Sequence, residues 1–302
     1  MSVINSSSFA KALWPGVNAW WGRAYDEYPV EYTKLFDTYK SRKQFEEDVG
    51  ISSFGLAVIK SEGAPVTFDS ERQSFITRYS HLVYALGFAI TREIYEDDQY
   101  DVVGQRKAQG LAFSMRQTKE VVAANVYNRA FNASFVGGDG VALLANNHPN
   151  FAGGTWSNLL TTAADLSEAS LEQAAIDIAG LQNDRGLTIA IKPKTLIIPR
   201  QLMFEADRIL KSDGRVGTDA NDLNALKTRG VIPEIVVNHY LTDVDAWFIR
   251  TNVKEGMKYW ERRADEFGVD EDFDTENAKY KATARYSFGW TDPRCLYGTP
   301  GA

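Results

Sequence analysis

No proline occurs between Pro65 and Pro149, and within that stretch Tyr100, Val103, Leu111, Met115, Thr118, Val122 and Val126 recur at the spacing of one helix face. A proline would remove a backbone donor and clash with the turn before it, so its absence lets a single helix continue. Asp97, Asp98 and Asp101 gather where the helix dipole favours negative charge. The VGGDG turn at 136–140 supplies the glycines that end it. The pattern predicts a helix from about Asp98 to Asn132, roughly 50 Å long at about 1.5 Å per residue. That is unusually long for a globular enzyme domain.

The segments around it carry much surface outside one core. Residues 9–36 hold Phe9, Trp14, Trp20, Trp21, Tyr25, Tyr28, Tyr32 and Phe36, interrupted by Pro15, Gly16, Gly22 and Pro29. This reads as an arm whose aromatics need a surface to bury them, their own core or another subunit. From Val66 to Ile90 β-branched and aromatic residues dominate, with Phe75, Thr77, Tyr79 and His81 on one face. The charged centre, Asp69 to Arg72, reads as the turn of a long projecting hairpin.

After the long helix, Ser167 is a plausible N-cap for LSEASLEQAAIDIAGL, which stops before Asn183 to Gly186. From Leu187 to Arg250 short strands (LTIAI, TLIIP, EIVVN, AWFIR) surround a helix, PRQLMFEADRIL, and a loop rich in Gly, Asp and Asn at 212–224. This is a compact α/β insert. Strand character returns in KYKATARYSFGW, 279–290.

Composition narrows the function. The 302 residues are 44% hydrophobic and 24% charged, values of an ordered protein with a sizeable core. Forty acidic against 33 basic side chains leave a net charge of -7, which argues against gripping nucleic acid along a broad basic face. The single cysteine, Cys295, can form no intrachain disulfide and has no neighbour that would activate its thiolate, so a reducing cytoplasm is expected. MSVINSSSFAKALWPG lacks a basic region followed by an apolar one, so no secretory signal is expected. The longest uncharged run, between Asp139 and Asp165, is broken by Asn, His, Pro, Gly and Thr, so no membrane partner is expected.

The search for chemistry finds little. His148 and Ser157, with Asp139 or Asp165, supply the residue types of a hydrolase triad. No G-x-S-x-G elbow surrounds the serine, and a His-Pro turn is the simpler reading. Asp270, Glu271, Asp272, Asp274 and Glu276 look like a calcium loop, yet Thr275 and Lys281 occupy the positions that need Gly and Glu. His81 and His239 have no partner at metal-ligand spacing and read as structural. Arg262, Arg263, Lys192 and Lys194 read as surface charge, and no phosphate-binding glycine loop occurs. The expectation is no enzyme, no catalytic residue, no cofactor and no metal.

Architecture then carries the reading. SFAKALWPGVNAWWGRAYDEYP, APVTFDSERQSFITRYSHLVYALGFAITREIYEDDQYD, AQGLAFSMRQTKEVVAANVYNRAFN, GDGVALLANNHPNFAGGTWSNLL, LIIPRQLMFEADRIL, YLTDVDAWFIR and ARYSFGWTDPR follow one another in that order. Together they resemble the tailed-bacteriophage major capsid proteins of HK97-type fold, in the Mu-like major head subunit group. The resemblance implies an α+β HK97-like capsid fold. Its parts would be an N-arm at 1–50, an E-loop at 51–96, and a P-domain at 97–187 with a spine helix near 98–132 and a second helix. An inserted A-domain at 188–255 and returning P-domain strands at 256–302 would complete it.

The resemblance also implies a structural protein that self-assembles as hexamers and pentamers into an icosahedral shell. Such a shell encloses packaged double-stranded DNA without sequence-specific binding, as a virion assembled in the host bacterial cytoplasm. A portal and a separate scaffolding protein are the further partners expected. Subunit contacts are expected at Trp14, Trp20, Trp21, Tyr25, Phe68, Arg72, Phe75 and Tyr79. The Lys-Asn crosslink of some relatives is not carried over, because neither Lys60 nor another lysine aligns with that position. An encapsulin-like cargo compartment has the same fold and stays as the alternative, with a serine hydrolase behind it.

Overall fold

Two four-stranded sheets joined by one long helix form the body of the molecule. The computed structural model describes residues 21–22, 25, 29–71, 73–91, 93–94, 100–150, 153–214, 222–271 and 277–302. Trp14, Trp20, Arg72, the other arm aromatics Phe9 and Tyr28, and most of the acidic run at 270–276 lie outside these residues.

The first element with described bounds is a short helix, α1 (Tyr32–Leu35), then β1 (Asp37–Lys40), β2 (Phe45–Ile51), β3 (Gln73–Ser80) and β4 (Leu82–Ile90). The long helix α2 (Tyr100–Asn128) follows, then a small pair, β5 (His148–Pro149) and β6 (Thr155–Trp156). Next come α3 (Glu168–Ala179), β7 (Pro193–Pro199), α4 (Met203–Lys211), α5 (Ala225–Arg229), β8 (Glu234–Asn238) and β9 (Trp247–Thr251). Strands β10 (Met257–Glu271), β11 (Ala278–Trp290) and β12 (Leu296–Thr299) close the chain. The first sheet has the order β1-β10-β11-β4 and the second β12-β9-β7-β8.

Helix α2 has 29 residues and is about 43 Å long at about 1.5 Å per residue, shorter at its C-terminal end than the sequence pattern predicts. Its buried face is built from Ala108, Leu111, Ala112, Met115, Ala123, Ala124 and Tyr127. Alanines let the helix approach closely, and Ala108 packs with Ile90 and Tyr280 on the first sheet. Farther along, Tyr127 and Phe131 meet Phe248 of the second sheet at ring distances of 5.4 and 5.8 Å. The second sheet is covered on its other side, where Leu196, Ile198, Trp247 and Ile249 pack with residues of α3 and α4. Ser167 caps α3 in a reciprocal arrangement with Ser170, as its place in the sequence predicts.

Four expectations are corrected. The hairpin partner of β3 is β2, paired from Phe45↔Ser80 to Ile51↔Gln73, and not a strand beginning at Val66. The acidic sequence FEEDVGI hides that partner, and Asp69 serves a hydrogen bond rather than a tight turn. Only His81 separates β3 from β4, which leaves the hairpin and joins β11 in the first sheet. Residues 187–191 form no named strand, since Ala190 takes a positive φ of 50° that ends the extended run. His148 and Pro149 lie in a two-residue strand rather than in a turn. Finally β12 pairs with β9, so the chain ends in the second sheet instead of with β10 and β11.

Candidate functional site

Among the described residues, the most exposed large apolar side chains lie on one appendage. Beyond the last β2–β3 pair, residues 52–71 form a long connection, and Ile59 is 99% exposed, Phe68 92% and Leu56 78%. Phe54, Val58 and Val66 are exposed beside them, and Val49, Ile51, Phe75 and Ile76 continue the surface down the strands. Scattered exposed apolar residues are ordinary; a contiguous set on one projecting element marks a surface meant to be covered.

The strand faces record where the hairpin leaves the body. Phe75, Thr77 and Tyr79 share one face of β3, and exposure falls from 38% at Phe75 to 3% at Tyr79. At the root, Oδ2 of Asp48 accepts from Nζ of Lys258 at 2.6 Å and from the Thr291 hydroxyl at 2.7 Å. With that hydroxyl proton committed, the Tyr79 hydroxyl donates to Oγ1 of Thr291 at 2.6 Å. Burial pushes the Tyr79 phenol well above its ordinary value, so it is a fixed donor.

A second polar chain crosses the same root. The Ser41 hydroxyl donates to Glu46 at 2.8 Å, and Nε2 of His81 lies 3.1 Å from Oγ of Ser41. Nε2 therefore carries the proton, and Nδ1 faces the Ser287 hydroxyl at 2.9 Å. Burial first, then the charge of Arg285, lowers the His81 pKa, while Glu46 and Arg262 act in opposite senses. The Ser41 hydroxyl first, then Lys43, holds the Glu46 carboxyl below the usual carboxylate range.

Beside the root, the turn at 136–140 packs directly on β3. A Cβ on Gly138 would sit 2.5 Å from Oγ1 of Thr77 and 2.7 Å from the Ile76 carbonyl oxygen, so only glycine fits there. An open cavity of ≈ 240 Å³ lies in the fork between this turn, β3 and the end of β11. Its most basic lining residue, Arg78, is already engaged by Glu47 and the Phe45 ring.

The aromatic arm, where described, packs on its own chain. Trp21 is 6% exposed and stacks on Phe267 at 5.2 Å, while the Tyr25 hydroxyl donates to Asp265 at 2.6 Å. Lys119 of α2 also donates to Asp265, and Glu120 accepts the backbone N–H groups of Glu31 and Tyr32, both at 3.0 Å. Burial raises the Glu120 pKa against the pull of those two N–H groups. Of the expected contact residues, Trp21, Tyr25 and Tyr79 have partners within the subunit, and Phe68 and Phe75 are exposed. The polar anchors Asp48, Lys258, Glu120 and Asp265 carry no sequence signal, because their pairings span distances that periodicity does not reveal.

The loop with His148 and Ser157 holds a packing node. His148 is fully buried, with Nδ1 2.7 Å from Oδ2 of Asp139 and Nε2 3.2 Å from Oδ1 of Asn158. Ser157 is exposed and exchanges hydrogen bonds with the Leu159 backbone, so it is not paired with the histidine. Asn158 is the centre: its Nδ2 donates to the carbonyls of Leu143, Pro293 and Leu296, and its Oδ1 accepts from Ala145 N–H. Trp156 stacks on the His148 ring at 4.6 Å, and the Arg294 guanidinium lies 4.5 Å from the centre of the Trp156 ring. Such a set stitches the segment after α2 to the chain terminus and leaves no nucleophile beside a base. Burial also pushes the Cys295 thiol far above its ordinary value. Among the described residues no cluster of three or more metal-ligating side chains occurs, and no helix is long and apolar enough to cross a membrane.

The structure is a mixed α/β fold that carries a hairpin whose connecting loop exposes apolar side chains. The family model described as phage capsid protein matches residues 76–298, and the chain belongs to that family. Comparison with curated protein sequences gives no match. Among solved structures, a virus-like particle from Pyrococcus furiosus is similar with a TM-score of 0.55 at 9% identity, covering 94% of this chain and 98% of that one. The procapsid of bacteriophage JBD30 gives 0.53 at 13% identity over 97% and 75%. The capsid of a native GTA particle gives 0.54 at 11% identity over 90% of each chain. At these identities the likeness is one of fold.

Proposed function

We propose that this chain is the major head subunit of a tailed-phage virion, in the HK97-type arrangement and the Mu-like group. In this reading α2 is the spine helix and the β1-β10-β11-β4 sheet forms the P-domain with it, while α3, the second helix expected there, packs on the other sheet. The β12-β9-β7-β8 sheet with its helices is the A-domain, and β2, β3 and the loop between them are the E-loop. The subunit assembles as hexamers and pentamers into an icosahedral shell around double-stranded DNA, with a portal and a scaffolding protein as further partners. It is not an enzyme. The net charge of -7 suits a wall that contains DNA without adhering to it, since the two polyanions repel and salt screens the rest.

The observation that carries the reading is the uncovered apolar loop at 52–71, because burying such area across a neighbour is the main source of association free energy. Phe68 and Phe75 are the contact residues it favours, and Trp14, Trp20 and Arg72 stay proposed on sequence grounds. A cargo compartment would have the same fold; the match to the phage capsid family supports the virion reading over it.

Negative-stain electron microscopy of the full chain, expressed with and without neighbouring head genes, tests this. Closed particles, tubes or discrete hexamers and pentamers are expected, and nucleic acid inside particles made with the head genes separates virion from cargo compartment. A monodisperse monomer or dimer under every condition would overturn the shell reading.

A further inference from the structure

The loop at 52–71 is not free in the isolated subunit. Oδ2 of Asp69 accepts from the Gly55 N–H at 2.8 Å, which draws the two limbs of the loop together. The same oxygen lies 3.2 Å from Nη1 of Arg185, and Oδ1 accepts from the Ser70 N–H at 2.8 Å. Arg185 reaches the loop a second time, donating from Nη2 to the Ser70 carbonyl at 2.8 Å. Arg185 is itself held in place, because Oδ1 of Asn183 accepts from the N–H groups of Arg185 and Leu187, both at 2.9 Å. The Gly55 and Ser70 N–H groups, more than the guanidinium, hold the Asp69 carboxyl below the usual range, so it is charged wherever the subunit is folded near neutral pH.

We infer that Asp69 and Arg185 form a releasable clasp that holds the 52–71 loop against its own subunit until a second copy of the chain takes up the loop's apolar side chains. The inference rests on the shell-subunit reading. The contrast with the hairpin root carries it. At the root the Lys258 side chain is 3% exposed and its bond to Asp48 is shielded, whereas at the clasp the Arg185 and Asp69 side chains are 31% and 41% exposed. Exposed pairs are weak and screened by salt, so the clasp opens at little cost while the root stays shut. The loop then swings about a fixed base. Leu56, Val58, Ile59 and Phe68, uncovered in the clasped state, are what a neighbour would bury.

Hydrogen–deuterium exchange on the unassembled full chain tests the clasp, comparing wild type with Arg185→Ala and Asp69→Asn. Amides of 52–71 should exchange about two- to fivefold faster in Arg185→Ala, the range expected on losing one exposed ion pair, with β2 and β3 unchanged. Asp69→Asn keeps the Gly55 and Ser70 contacts and should give a smaller increase. Added salt should accelerate the loop in wild type and leave Arg185→Ala unmoved. Light scattering should show a shorter assembly lag for Arg185→Ala. Equal exchange in wild type and Arg185→Ala, or equal acceleration of loop and strands, would overturn the clasp. A faster loop with an unshortened lag would remove its link to assembly. If wild type forms no particles at all, the shell reading fails and the exchange result still stands on its own.

Discussion

Nζ of Lys258 lies 2.6 Å from Oδ2 of Asp48, and this bond ties the projecting hairpin to the central strand β10 of the first sheet. Removing one partner of a shielded pair leaves the other charge without compensation. Lys258→Met should destabilise the chain by about 3 kcal/mol, the low end for such pairs because Asp48 is partly exposed. Asp48→Asn can still accept from Thr291 but leaves the 3%-exposed Lys258 ammonium without its counter-charge, so it should cost at least as much. Urea unfolding measures both, and an unchanged midpoint in Lys258→Met would show that the root is held by packing alone.

His81 makes stability depend on pH. Its folded-state pKa lies below its unfolded value, so the unfolded chain binds the extra proton first. The stability it lends is therefore complete above the unfolded value of about 6.5 and declines as pH falls below it. Glu46, whose folded pKa is also lowered, adds a separate loss in the acid range below about 4.5. Urea midpoints measured between pH 7.5 and 5 should fall in wild type and fall less in His81→Gln, which cannot charge. Parallel slopes would mean that another group titrates there.

Part of this was legible in the sequence. The long helix, the capped α3 and the strands β7, β8, β9 and β11 follow from local spacing and capping alone. Gly138 was legible only as a turn residue, and its fit against Ile76 needed the fold. Beyond the local positive φ at Ala190 and the short β5–β6 pair, what failed has one cause: β2, β12 and the polar anchors are defined by partners far along the chain. FEEDVGI has the composition of a surface turn and becomes a strand only because β3 lies beside it. Lys119 and Glu120 sit on the buried face of α2, where charge is the opposite of the expected signal, since Asp265 and the backbone of residues 31 and 32 satisfy them. The aromatic arm shows the same limit: sequence marked Trp21 as needing cover but not that Phe267 of its own chain provides it.

Gly138→Ala tests how tightly the turn after α2 braces the hairpin. The added carbon meets backbone at 2.7 Å, which cannot move aside as a side-chain tip can. A loss of about 1–3 kcal/mol is expected, with faster exchange of β3 amides. Wild-type stability in this variant would place the turn farther from Ile76 than the structure has it.

Asn158 and Ser157 are adjacent and should behave as opposites. Asn158→Ala strips the donor from three buried carbonyls and the acceptor from Ala145 and His148, so a loss of about 3 kcal/mol or more is expected. Ser157→Ala removes an exposed hydroxyl and should change stability by less than about 0.5 kcal/mol. Thermal melts compare them. Background ester hydrolysis should be equal in wild type and Ser157→Ala, and its loss in the variant would reopen the hydrolase reading.

Phe68→Asp separates folding from assembly. The ring is 92% exposed, so replacing it should leave the unfolding midpoint of the subunit within about 0.5 kcal/mol of wild type. If a neighbouring copy buries it, the same change forfeits about 2–3 kcal/mol of apolar burial at every interface and sets a charge there. The concentration at which particles form should then rise by about 10- to 100-fold. Tyr79→Phe is the counterpart inside the body: it loses the bond to Thr291, costs about 1 kcal/mol of folding stability, and should leave the assembly threshold unmoved. Sedimentation of a concentration series reads the threshold, and urea titration reads the fold. Unaltered assembly by Phe68→Asp would exclude this part of the loop from subunit contacts, because no interface tolerates a buried unpaired carboxylate without a measurable shift.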